Sequence, residues 1–233
     1  MKNLSFIQVT GMCAILAFAF FFVAIILFTV SGLEERGKSE TGQALLNINK
    51  YRTTLLTVLW LSLAGKVLAF FVAIGLYQLL HKEGSLLWIA AALWVAGVLF
   101  NVISDIVSIG VAWELAPGYA KAAAADKPIL EVVARTVFRV GDLATIVGNV
   151  LSWGIGLALF AVAILRTGVI PRWIGWLGVI PALIGGWLPL LEPLSDIIKS
   201  VGFFGFFIFL MWLIIIGFAM LRLQQSPSIA KQA

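Results

Sequence analysis

Residues 6–30 read FIQVTGMCAILAFAFFFVAIILFTV, twenty-five consecutive positions without a charge. A helix needs about 20 predominantly apolar residues to cross a hydrocarbon layer roughly 30 Å thick. The stretch therefore reads as a transmembrane helix. A Met-Lys-Asn start gives it the polarity of a secretory leader, but such leaders carry an apolar region of only about 7–15 residues. An uncleaved first span is expected.

Five further apolar runs follow. The spans are expected at about 6–31, 53–80, 86–112, 136–165, 173–191 and 202–222, forming one all-α transmembrane domain over residues 1–233. Composition agrees: 62% of the chain is apolar, 12% is charged, and the mean hydropathy is +1.08. A water-soluble domain carries about 25% charged residues. The net charge of +5 does not point to nucleic acid, because Lys and Arg sit at loop ends and form no basic cluster. Cys13 is the only cysteine and His81 the only histidine. A disulfide, a thiolate zinc site, bis-histidine haem and a three-histidine metal site are thereby excluded within one chain. No phosphate loop or HExxH motif occurs, so no cofactor and no catalytic residue are expected.

The connections divide into two sets. Turns at 81–85 and 166–172 are short, whereas Gly32–Arg52, the region after Ala116-Pro117-Gly118, and 192–199 are longer. Residues 44–48 (Ala-Leu-Leu-Asn-Ile) suit an interfacial segment or an early start of the second helix. Pro117 is expected to stop the third helix, since proline lacks the N–H of the ladder. Asp126 is placed to cap the fourth, with Pro128 in its first turn. Pro181 marks a kink in the fifth. Six spans put both termini on one side. The density of Lys and Arg in the short loops and termini places that side in the cytoplasm, with Trp113, Trp173, Trp176 and Trp187 as interfacial anchors.

Polar residues at membrane depth carry what functional signal there is. A charge there costs at least about 2.5–3.5 kcal/mol and normally faces protein or water. Lys66 qualifies on the second span, Asn101 and Asp105 on the third, and Arg139, Asp142 and Asn149 on the fourth. At about 1.5 Å per residue, Lys66 and Asn149 lie roughly 20 Å below the outer end, Asn101 roughly 16 Å, and Asp105 and Asp142 roughly 10 Å. A lysine stem of about 6 Å lets Lys66 reach either carboxylate. Asn101, Asp105 and Ser108 share a helix face; so do Arg135, Arg139 and Asp142, with Thr145 and Asn149 continuing the stripe. A polar cluster in the outer half of the bundle is expected. It serves either as an ion pair that sets helix register or as a relay or ligand contact. Arg135 and Arg139 also suit interfacial snorkelling. Gly148, Ser152 and Gly156, and Gly178, Ala182 and Gly186, recur at four-residue spacing, which permits close helix approach in lipid.

The stretch from Val133 to Trp187 resembles a bacterial family of multi-pass membrane proteins known as a domain of unknown function. The resemblance rests on Ala134-Arg135 at the head of a long helix, Leu-Arg-x-Gly-x-Ile-Pro-Arg-Trp at 165–173, and Gly178 beyond. It implies about six helices and a bacterial or archaeal inner membrane, and supplies no activity. Two functional classes stay open. One binds or transports a small, largely apolar molecule, with an intramembrane enzyme acting on a lipid or isoprenoid as a variant. The other is an accessory subunit with a membrane-protein partner. Membrane lipids are expected around either.

Overall fold

A computed structural model describes residues 5–33, 40–81, 84–194 and 196–223. Among them there is no strand, and seven helices account for the chain. They are α1 (Phe6–Val30), α2 (Thr41–Lys50), α3 (Arg52–Leu80), α4 (Leu86–Lys121), α5 (Lys127–Thr167), α6 (Arg172–Leu191) and α7 (Asp196–Leu223). All but α2 are long and apolar enough to cross a membrane. The residues of the loop 34–39, of the 82–83 turn and of both termini, whose charges entered the orientation argument, lie outside the described set.

Local chemistry explains the helix ends. Ser5 closes a capping box at α1: its Oγ accepts from Gln8 N at 3.3 Å, and Gln8 Oε1 accepts from Ser5 N at 3.0 Å. Gly168, at φ +64°, ends α5 in the left-handed conformation that glycine adopts without a Cβ clash. Asp126 holds the N-cap position of α5, but its side chain makes no capping bond; Pro128 does lie in the first turn. Residues 44–48 belong to α2, a separate helix with Ala44, Leu45 and Ile48 buried.

The third span differs from expectation. Helix α4 does not stop before Pro117 but continues to Lys121. A π-helical turn at Val111–Leu115 makes this possible, with Ala116 N donating to Val111 O. The wider turn relieves the clash between the proline ring and the carbonyl four residues back. Pro117 then opens a new α-helical stretch, where its missing N–H has no partner to lose. Two further π-helical segments, Val150–Leu157 and Ala182–Trp187, interrupt α5 and α6. The second directly follows Pro181.

Glycine contacts set the helix arrangement. Gly11 on α1 meets Gly217 on α7, and Gly75 on α3 meets Thr10 on α1. The start of α1, the end of α3 and the end of α7 therefore share one end of the bundle. Gly97 of α4 packs on Gly148 and Ser152 of α5, and Gly186 of α6 packs on Gly154. Added Cβ atoms at these positions would overlap backbone, so only glycine allows the approach.

Two apolar clusters result. The larger is built from α1, α3, α4, α5, α6 and α7 around Trp94, Phe160, Phe209 and Trp212, with Trp212 Nε1 donating to Ile174 O at 3.1 Å. The smaller joins α2, the start of α3, the end of α4 and the start of α5 through Leu45, Leu59, Val111, Tyr119 and Ala134. Helix length locates it. The 36 residues of α4 and 41 of α5 exceed the about 26 that even a 40° tilt would need to cross the hydrocarbon. Joined by the short turn 122–126, α4 and α5 form a hairpin longer than a bilayer crossing, whose tip lies at the end opposite the start of α1 and the end of α7, with α2 packed on it.

Candidate functional site

Between the two apolar clusters lies a layer of polar side chains, and α3, α4 and α5 each cross it once. On α3 it falls between Leu59 of the small cluster and Val72 of the large one, at Lys66. On α4 it falls between Val98 and Val111, at Asn101, Ser104, Asp105 and Ser108, all buried. On α5 it falls between Ala134 and Leu157, at Thr145, Asn149 and Ser152.

The centre of the layer is an ion pair. Lys66 Nζ donates to Asp105 Oδ2 at 2.6 Å and to the Asn101 carbonyl at 3.2 Å. The two side chains keep 18% and 10% of their exposure. Asn101 spends both amide protons, on Gly97 O at 3.2 Å and on Asn149 Oδ1 at 3.3 Å. The Thr145 hydroxyl lies 2.8 Å from Ser104 Oγ and 3.1 Å from Gly141 O. Thr145 has one hydroxyl proton to donate, to Ser104 Oγ across the gap or to Gly141 O within its own helix. Ser152 donates to Gly148 O at 2.6 Å, within its own helix. The three helices are thus laced by two bonds from the Lys66 ammonium and by two neutral ones.

Four of the six residues singled out by sequence, Lys66, Asn101, Asp105 and Asn149, come together here. Arg139 and Asp142 do not: both are exposed on α5, and no hydrogen bond or ion pair joins them to the layer among the described residues. Over residues 127–149, the buried positions of α5 are Ala134, Gly141, Ala144 and Gly148. Each precedes by one residue a member of the polar stripe Arg135, Asp142, Thr145 and Asn149. Close packing of small residues on α4 sets the face that turns inward, and the polar stripe is rotated about 100° from it. Thr145 and Asn149 still reach the layer from its edge; Asp142, further out, does not.

Two groups escaped the sequence reading. Ser104 completes the i, i+3, i+4, i+7 pattern of Asn101, Asp105 and Ser108, a signal that was available. Tyr119 donates to Glu131 Oε1 at 2.5 Å within the small cluster, with Lys127 Nζ 5.3 Å from the centre of its ring. Placing Pro117 at a helix end had put Tyr119 in a loop. Among the described residues no group of His, Cys, Asp and Glu is arranged to hold a metal ion.

Fold and site together define a polytopic helical protein of the multi-pass membrane type, with a charged layer between its two apolar clusters. Residues 9–217 match the domain of unknown function DUF4386, and the chain belongs to that family. No curated protein and no solved structure matches it.

Proposed function

We propose that the chain holds a small, largely apolar molecule among α3, α4 and α5, with its polar end at the Lys66 layer, and moves or presents it at the cell membrane. The observation that carries this reading is the layer itself. Six long apolar helices need no charge to pack, yet three of them bring Lys66, Asp105, Asn101 and Asn149 to one level between dry clusters. Intramembrane charge is costly and is a functional signal by default. The residual exposure of Lys66 and Asp105 leaves a polar edge for a ligand headgroup to meet. Orientation is read from charge density: the short turn at 166–172 carries Arg166 and Arg172, and such density in short loops favours the cytoplasm for the end at which α1 starts and α7 ends.

The accessory-subunit reading has one observation in its favour. Lys66 and Asp105 satisfy each other, as a pair that only sets helix register would. An enzyme acting on a lipid has less support, because Asp105 is engaged by Lys66 and Asp142 stands outside the layer. Native mass spectrometry of the protein, gently extracted from its own membrane, separates the first two. A bound small molecule that is absent from the double variant Lys66→Met, Asp105→Asn supports binding. Stoichiometric partner chains with no small molecule would make the layer a scaffold.

A further inference from the structure

The Lys66 layer holds hydrogen-bonding capacity that the chain does not use. An ammonium has three protons, and Lys66 places two of them, on Asp105 Oδ2 and on the Asn101 carbonyl. Asn101 donates through its Nδ2, and its Oδ1 receives no donor among the described residues. Asp105 Oδ1 and the Nδ2 protons of Asn149 have no partner there either.

These groups are deep but not sealed. Asn101 and Asp105 are 8% and 7% exposed. Among the described residues, Arg52 Nε is the one fully enclosed polar side-chain atom without a partner. Asp105 Oδ1, Asn101 Oδ1 and Asn149 Nδ2 therefore open onto whatever lies against the layer, as does the partly exposed Lys66. Hydrocarbon chains satisfy none of them.

We infer that the molecule held here is a lipid whose polar end is an uncharged hydroxyl, as in a long-chain alcohol or a diacylglycerol. The inference rests on the binding role proposed above and narrows it to one class of headgroup. Charge selects first. Lys66 and Asp105 cancel, so a carboxylate, phosphate or ammonium brings an uncompensated charge between two apolar clusters. Hydrogen bonding selects next. Ketones and esters only accept, which leaves the free oxygens of Asp105 and Asn101 unpaired. A hydroxyl both donates and accepts. Its oxygen meets a proton of Lys66 or Asn149, and its own proton goes to Asp105 Oδ1 or Asn101 Oδ1.

The test is photolabelling of the full-length chain in phosphatidylcholine nanodiscs. Three probes share one diazirine-bearing alkyl chain and end in a primary alcohol, a carboxylate or a quaternary ammonium. The alcohol probe is expected to label saturably, at least about tenfold above the other two at equal loading. Lys66→Met with Asp105→Asn is expected to bring it down to their level, with helicity unchanged. Asn149→Ala, which keeps the ion pair, is expected to weaken it severalfold. Competition by an unlabelled long-chain alcohol but not by diacylglycerol supports a single-chain ligand; the reverse supports diacylglycerol. Labelling by a charged probe that equals or exceeds the alcohol's, and is lost in the double variant, overturns the hydroxyl assignment and leaves the binding role standing. No saturable labelling by any probe, or labelling unchanged in both variants, overturns both.

Discussion

Lys66 and Asp105 stabilise each other more than either stabilises the fold. Burying two charges costs several kcal/mol, and their attraction returns about that amount when the geometry is good. Removing one partner is therefore worse than removing both. Lys66→Met is expected to lower stability by about 3–5 kcal/mol, since it leaves the buried Asp105 carboxylate without its charged partner. Lys66→Met with Asp105→Asn is expected to lie within about 1.5 kcal/mol of the unmodified protein; unfolding in mixed micelles with increasing dodecyl sulfate measures both. Double-variant stability as low as the single variant's would show that the charges have separate partners. Asp142→Asn and Arg139→Gln should shift the same transition by no more than about 0.5 kcal/mol, because both side chains are exposed and away from the layer. The contrast between Asp105 and Asp142 was not legible in the residues themselves. Each is a carboxylate on a polar stripe of an apolar helix, and only the inward-turning face distinguishes them.

At the scale of elements, the α4–α5 contact decides which face turns inward. Gly148 is one of its close points: an added Cβ would lie 2.5 Å from Asn101 Nδ2 and 2.8 Å from Gly97 O. Gly148→Ala is expected to part the helices and break the Asn101–Asn149 bond, at a cost of about 1–3 kcal/mol. A fall in the midpoint of heat-induced aggregation would register it, while Gly118→Ala, with open space around its Cβ position, should leave that midpoint in place. The six spans themselves were legible, since apolar runs of about 20 residues have few other uses. The small-residue spacing on α5 and α6 pointed correctly to close helix approach. The continuation of α4 through Pro117 was not legible. Whether a proline stops a helix or is absorbed depends on a widened turn before it and on partners for the segment after it. Here α2 and the start of α5 supply those partners through Tyr119 and Ala116.

The described chain is a bundle of six helices long and apolar enough to cross a membrane, with a second apolar cluster at the end away from the start of α1 and the end of α7. Orientation gives the prediction at this scale. With Cys13 replaced by Ala, Ala123→Cys at the exposed hairpin tip should react with a membrane-impermeant maleimide in intact cells. Arg172→Cys, in the exposed first turn of α6, should react only after permeabilisation. The reverse pattern would place the termini outside. Sequence by itself determined the all-α class and the number of apolar spans, and it placed Lys66, Asn101, Asp105 and Asn149 among six candidates for one polar cluster. Those features follow from one-dimensional quantities: run length, the cost of polar groups in hydrocarbon, and depth along a helix axis. Tertiary structure alone decided which carboxylate Lys66 pairs with, that α4 and α5 extend into a cap with its own apolar cluster, and that Arg139 and Asp142 stay outside the layer. The cap depends on the widened turn before Pro117 and on partners for the segment after it, whereas rotation of a helix about its axis decides the pairing of Lys66 and the exclusion of Arg139 and Asp142. That rotation is set by glycine-to-glycine contact with neighbours distant in the chain, which no local pattern encodes.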